Sequence, residues 1–361
     1  MNAQGVMLRA QGGCPSSQGV ARTTQGDGWT TQGDGKTRKV PGDSRKVTFF
    51  VPGPCNTRSM STLAALLLAL LSMFSVAACA TTSPAPQAYA GQRAWTAACG
   101  DNDGWDKPGP PFRLYGNTYY VGTCGITALL VASPEGHTLI DSGTDKGAEV
   151  VLANIRALGF DLRDVKTILM SHEHFDHVGG MARLQAATGA RIVTTAPAAA
   201  VLRSGRPGAD DPQAKSGHPP FPPIMGSISI LSSEGEQRFA RRTFRLIATP
   251  GHTPGAMSWS WRECEGGLCR AIVYADSLNP IGADDYRFSD HPALVTAFRA
   301  GIAKLAAADC DMVLTPHPGS TNLRSRLLGT APLIGPDGCR AYAAGVTARL
   351  DKRLAAEASG G

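Results

Sequence analysis

Three histidines and an aspartate fall within six residues of the segment ILMSHEHFDHVGG, Ile168 to Gly180. The whole chain has eight histidines, so His172, His174 and His177 around Asp176 are a marked local concentration. Residues two apart in an extended segment project to the same side, which aims His172 and His174 together. Asp176 and His177 follow across a turn into the next helix, where Gly179 and Gly180 permit a tight backbone. Neutral imidazoles and carboxylates are donors that zinc takes readily. Four of them this close can serve more than one ion. The competing reading of the segment alone is a solvated polar turn.

Two further segments weigh against that competing reading. TPGHTPG places His252 after the apolar run FRLIAT, and LTPHPG places His317 after DMVLT. A single histidine at a strand end is ordinarily a polar cap. Three strand ends that present five histidines and one aspartate could instead meet at one edge of a sheet structure. His137, His218 and His291 lie in turn or loop contexts and read as ordinary surface residues.

The elements that must hold these residues can be read from periodicity. TYYVG, ITALLVAS and HTLIDSG are expected strands, followed by a helix over residues 145–158 with Thr144 as N-cap and Gly159 as stop. VKTILM is a short buried strand that delivers the histidine cluster at its C-terminal end. A helix (MARLQAAT), a strand (RIVTTA) and a short helix (APAAAVLRSG) follow. Residues 204–224 are rich in Gly and Pro and read as a long surface loop, of the kind that often acts as a lid. SISIL, TFRLIAT, MSWSWR and RAIVYAD are strands, then come a helix at 292–307, the strand DMVLT and a closing helix near 338–355. There are two runs of strands, each followed by helices, and the chain contains no G-x-G-x-x-G and no P-loop. An α/β sandwich of two sheets with helices outside fits this order better than a nucleotide-binding sheet.

Charge excludes one class of partner. The net charge is +6, but residues 1–59 carry eight Lys/Arg against three Asp/Glu and residues 60–79 carry none. The rest of the chain has 27 basic and 26 acidic side chains. The body therefore offers no phosphate-binding face, and no nucleic-acid partner is expected. Residues 1–59 are low in large apolar side chains and contain the repeat TTQGDGW/TTQGDGK, so they cannot offset their ordering entropy. They read as a start assigned too far upstream or as a disordered extension.

From Met60 an apolar run leads to Ala77-Ala78-Cys79-Ala80 and a Pro/Ser linker, the layout of a secretory signal. We read residues 60–80 as the signal, 81–94 as linker and 95–361 as the folded domain. Cleavage after Ala80 fits the A-x-A rule; VAAC alternatively resembles a lipobox that would leave Cys79 lipidated on an outer membrane. A retained membrane anchor is the third reading. Beyond the signal stand Cys99, Cys124, Cys264, Cys269, Cys310 and Cys339, an even set that reads as disulfides in an oxidising periplasm. Proximity favours Cys264–Cys269, with Cys99–Cys124 and Cys310–Cys339, among fifteen pairings.

The segments SHEHFDHVGG, TPGHTPG, YADSLNP and LTPHPG, in this order, resemble the metallo-β-lactamase superfamily and, more narrowly, its B3 subclass. NTYYVGTCG, HTLIDSG and the six cysteines add to the resemblance, which spans about residues 95–350. It implies an αββα sandwich, two mixed sheets with helices on the outer faces, and two Zn2+ per chain. His172, His174 and His252 would hold the first ion, and Asp176, His177 and His317 the second. It also implies hydrolysis of the β-lactam amide by hydroxide generated at the ions, with Asp176 orienting the water. Ser277 and Asn279 would bind the substrate carboxylate, although B3 relatives often carry Ser or Thr where Asn279 stands. A small-molecule β-lactam is the expected partner of a periplasmic monomer. The superfamily also contains thioesterases of the glyoxalase II type and lactonases, for which Asp276 in ADSLN could bridge both metals. Glu173 and Phe175 are expected to point away from the site.

Overall fold

A computed structural model describes residues 90–359. The expected leader, signal and cleavage sites lie outside these residues. Seven strands form the first sheet: β1 (Phe112–Tyr115), β2 (Thr118–Tyr120), β3 (Leu129–Val131), β4 (His137–Ile140), β5 (Val165–Leu169), β6 (Arg191–Thr194) and β7 (Ile228–Ile230). They lie in sequence order, antiparallel from β1 to β4 and parallel from β4 to β7. The second sheet has β8 (Gly235–Phe239), β9 (Arg242–Ala248), β10 (Met257–Glu265), β11 (Leu268–Tyr274) and β12 (Met312–Leu314) in the order β12-β11-β10-β9-β8. β11 and β12 run parallel and the other neighbours antiparallel, so both sheets are mixed as expected.

Alternation along the strands divides the core into two layers. Phe244, Leu246, Ile272, Tyr274, Met312 and Leu314 face a core shared with the first sheet. Their neighbours Ile247, Val273 and Val313 turn to the opposite face, under the helices Pro292–Ala306 and Gly338–Ala358. This is the period of two that a strand imposes. The polar tips of two core tryptophans are satisfied across the sandwich: Trp259 Nε1 donates to the Met170 carbonyl (2.8 Å) and Trp261 Nε1 to Thr118 Oγ1 (3.0 Å). The first sheet carries the helices Gly147–Ala157 and Met181–Thr188 on its other side, burying Val151, Ile155, Met181 and Leu184.

The expected helix at 145–158 is observed from Gly147 with Lys146, not Thr144, at the N-cap position; Thr144 Oγ1 still accepts from the Gly147 amide (2.8 Å). The helix Ala90–Ala98 was not expected; it begins inside the stretch read as linker and buries Trp95 completely. Three disulfides join Cys99–Cys124, Cys264–Cys269 and Cys310–Cys339, the pairings that proximity favours. Among the described residues no helix is long and apolar enough to cross a membrane.

Candidate metal centre

The strands β5, β9 and β12 end within a few residues of His172, His252 and His317, and the sandwich brings these three ends together. After β5 the chain stays extended through His174 (φ −77, ψ 151) and then turns into the short helix Phe175–Val178, which carries Asp176 and His177. Gly180 is needed at the next step, because a Cβ there would stand 2.4 Å from the Ala148 Cβ. On the β9 side Gly251 lets the His252 loop close over the Phe298 ring, where a Cβ would come within 2.2 Å.

His172, His174 and His252 form one buried trio, with ring centroids 4.7–5.0 Å apart. The other nitrogen of each ring is already engaged. His252 Nδ1 donates to the Asn279 carbonyl (2.8 Å), and His174 Nε2 donates to Asp211 Oδ2 (3.0 Å). Because a carbonyl and a carboxylate can only accept, these contacts leave lone pairs on His252 Nε2 and His174 Nδ1. Ser171 Oγ (3.2 Å) and Asp276 Oδ1 (2.8 Å) crowd His172 Nδ1, while His172 Nε2 is buried without a partner. Three lone pairs, one of them buried without a partner, suit a cation.

The second group is Asp176, His177 and His317. His177 Nε2 lies 3.0 Å from Asp176 Oδ2 and 3.3 Å from His317 Nε2, and His317 Nε2 lies 3.4 Å from Asp176 Oδ2. Donors about 2.0–2.1 Å from a tetrahedral ion stand roughly 3.4 Å from one another. The two groups are neighbours, for the His172 and His177 rings are 4.3 Å apart. Behind His177, Asp141 Oδ2 lies 3.5 Å from Nδ1 and also accepts from Ser171 Oγ and Tyr274 OH, each at 2.7 Å.

Electrostatics keeps His172, His252 and His317 neutral, the form that binds a metal. Burial and neighbouring histidines hold His172 well below the usual imidazole range, His252 at about 3 and His317 at about 4. His177 is the exception: burial opposes its charge, but the Asp176 and Asp141 carboxylates outweigh it and raise the ring to about 10. For Asp176 burial is likewise outweighed, here by His177 and His317, and its carboxyl is held below the ordinary range.

Several expectations need correction. Glu173 does point away from the donors, but it is buried and brackets the next ligand loop: Thr253 Oγ1 and the Gly255 amide both donate to it at 2.7 Å. Phe175 packs on Trp105 and His218 (5.6 and 5.2 Å) at the mouth of the site. His218 is therefore no ordinary surface residue; its ring also sits 5.4 Å from His174. His137 is buried in β4 against Phe160, accepting from the Ser133 amide through Nδ1. His291 is exposed, as expected, and stacks on Tyr286. The segment 204–224 is not merely a surface loop, because it buries Asp211, Gln213, Phe221 and Ile224. Asp276 approaches His172 from the Nδ1 side, away from the orphaned Nε2, and burial raises its carboxyl well above the usual range. Ser277 Oγ is buried with no partner, while Asn279 is half-buried and contributes its backbone carbonyl to His252.

Comparison with known proteins agrees with this geometry. A family model described as the metallo-beta-lactamase superfamily matches residues 121–266. Among solved structures, the MIM-2 metallo-β-lactamase is 51% identical with a TM-score of 0.70, over 74% of this chain and 98% of that one. MIM-1 from Novosphingobium pentaromativorans is 47% identical (TM-score 0.70, 74% and 98%). MEM-A1, a subclass B3 enzyme from a soil metagenome library, is 41% identical (TM-score 0.67, 72% and 100%). Among curated sequences, a hydroxyacylglutathione hydrolase of Anaeromyxobacter dehalogenans is 30% identical over 69% of this chain and 76% of its own length. The chain belongs to the metallo-β-lactamase superfamily, and its solved neighbours are metallo-β-lactamases, the subclass B3 enzyme MEM-A1 among them.

Proposed function

We propose that this protein is an exported β-lactamase of the B3 type that uses two Zn2+ per chain to hydrolyse penicillins, cephalosporins and carbapenems. The observation that carries the reading is the 51% identity with MIM-2 across 98% of that enzyme. His172, His174 and His252 would hold one ion; Asp176, His177 and His317 would hold the other. When bound, the ions supply Lewis acidity and lower the pKa of a coordinated water to about 7. The remaining work falls to the chain. Asp176 orients the attacking water, and Ser277 offers its unpartnered hydroxyl to the substrate carboxylate. Tyr342 OH donates to the Asp276 and Ser277 carbonyls (2.7 Å each) and so fixes the turn that presents that hydroxyl. The half-buried Asn279 side chain is the second candidate for the carboxylate. Trp105, 41% exposed and 5.9 Å from His317, walls the cleft with an apolar face.

The curated hydroxyacylglutathione hydrolase supports a thioesterase as the other reading. That reading wants Asp276 between the two ions, and its approach to His172 Nδ1 speaks against this. The test compares chelator-sensitive turnover of a carbapenem, a lactone and a glutathione thioester. Carbapenem hydrolysis supports the proposal, and turnover of the thioester alone overturns it. We place the mature monomer in the periplasm, where three disulfides persist. Mass spectrometry of the exported protein should find an N-terminus at Thr81, or a lipid on Cys79; intact Met1 would contradict export.

A further inference from the structure

The segment between the helix Ala196–Ser204 and β7 is fastened at two ends of different kinds. Its base is apolar: Phe221 and Ile224 are buried, the Phe221 amide donates to the Gly205 carbonyl (3.0 Å) and the Ile224 amide to Leu202 (2.9 Å). Its tip is polar and reaches the metal centre. Asp211 is 3% exposed; its Oδ1 accepts from the Gln213 amide (2.7 Å), and its Oδ2 accepts from His174 Nε2 (3.0 Å). Next to it, the Pro212 carbonyl accepts from the Ala283 amide (2.8 Å), four residues past the Asn279 carbonyl that holds His252. The tip therefore touches one histidine of the first trio directly and borders the segment that orients another.

We propose that Asp211 is a positioning residue that couples the order of residues 205–227 to occupancy of the first metal position. With Asp211 seated, His174 carries its proton on Nε2 and keeps the Nδ1 lone pair for the ion. With the tip detached, that tautomer and ring orientation are no longer imposed. An ion held through His174 Nδ1 in turn strengthens Nε2–H as a donor and draws Asp211 in. By linkage the two effects are equal in size: whatever the ordered segment adds to metal affinity, the metal adds to segment order. The same segment carries His218 to the cleft mouth beside Phe175, so metal occupancy also sets how that wall of the substrate cleft is shaped. This inference rests on the ligand set proposed above but not on the identity of the substrate.

The test uses the whole mature protein without substrate, in zinc-free and zinc-loaded forms. Zinc affinity is measured by competition with a chromophoric chelator, and the order of residues 205–227 by hydrogen exchange. In the wild type, zinc should slow exchange at residues 208–214. Asp211→Ala should weaken the first zinc by roughly 10–100-fold, the range for losing a partner of a metal-bound histidine, and should abolish the zinc-dependent slowing. Asp211→Asn, which can still accept from Nε2, should fall between the two. Phe221→Ala, checked for folding by circular dichroism, loosens the base without touching His174 and should also weaken zinc. Unchanged zinc affinity in Asp211→Ala, or exchange in the wild type that ignores zinc, would overturn the coupling. A wild type that binds no zinc would sink the ligand set and the coupling together. Zinc-dependent slowing without β-lactam turnover would uphold the coupling and refute the proposed substrate.

Discussion

Glu173 stands inside the histidine cluster yet turns its carboxylate to the loop after His252, and removing it tests whether the cluster positions its neighbours. Its buried carboxylate accepts from Thr253 Oγ1 and the Gly255 amide at 2.7 Å each, on either side of the loop that follows His252. Hydrogen bonds to a charged group contribute about 1.5–3 kcal/mol each, and a stranded buried donor costs about 1–3 kcal/mol. Against this stands the cost of burying the carboxylate, visible in the upward shift of its pKa. Glu173→Ala leaves two donors and a void, so the net loss should be about 3–5 kcal/mol. For a domain of this size that lowers Tm by on the order of 10 °C. Glu173→Gln should cost about 1 kcal/mol only, because its amide oxygen can face Gly255 and its NH2 can donate to the rotatable Thr253 hydroxyl. The assay is thermal unfolding of both variants, with zinc affinity measured alongside, since a slack loop should also weaken the ion held by His252. If Glu173→Gln fell as far as Glu173→Ala, charge and not the bracket would be responsible. An alanine variant that melts with the wild type would show that the bracket adds nothing to stability.

The other predictions concern substrate, cross-links and acid. Ser277→Ala should raise KM for carboxylate-bearing β-lactams about fivefold, for roughly 1 kcal/mol, with a smaller change in kcat; unaltered kinetics would remove Ser277 from the site. Opening Cys310–Cys339 should cost about 3.5 kcal/mol and Cys264–Cys269 about 2 kcal/mol, because the loops closed span sequence separations of 29 and 5; double-serine variants unfolded in denaturant should show that order. For Glu357 burial opposes ionisation, but Arg353 and the Ser289 and Phe288 amides outweigh it and draw the carboxyl down to about 2. Stability from a depressed carboxyl is present above its unfolded pKa and lost as pH falls towards 2. Glu357→Gln should therefore start less stable at neutral pH and lose less between pH 4.5 and 2, and equal acid slopes in the two proteins would contradict this.

What could be read from sequence was whatever periodicity or local spacing encodes. The helix after Thr144, the strand ending at Leu169 just before His172 and the hairpin clasp at Cys264–Cys269 all depend on near neighbours. The strand Gly235–Phe239 escaped notice because Glu236, Gln237 and Arg238 give it an edge strand's polar sequence, with only Phe239 fully buried. The helix Ala90–Ala98 escaped because it follows a polar linker and its helical period is short. Asp211 could not be found at all: it stands 37 residues from His174 in a Gly/Pro-rich stretch, and only the fold brings them together. His137 and His218 were misread for a related reason. Their surroundings in sequence are turns, whereas their surroundings in space are Phe160 and the His174–Phe175 corner. Glu173 was read for direction correctly but without its partners, which lie 80 and 82 residues on.

In the function proposed above, six side chains from three strand ends form two ion positions that hydrolyse a β-lactam. Metal analysis of the wild type, His252→Ala and His317→Ala, paired with carbapenem turnover, addresses it most directly. The wild type should hold two zinc ions per chain. His252→Ala should lose the ion of the His172–His174 trio, His317→Ala the ion beside Asp176 and His177, and both should lose most activity. Two ions retained in His252→Ala, or a fully loaded wild type that leaves every β-lactam intact, would contradict the claim.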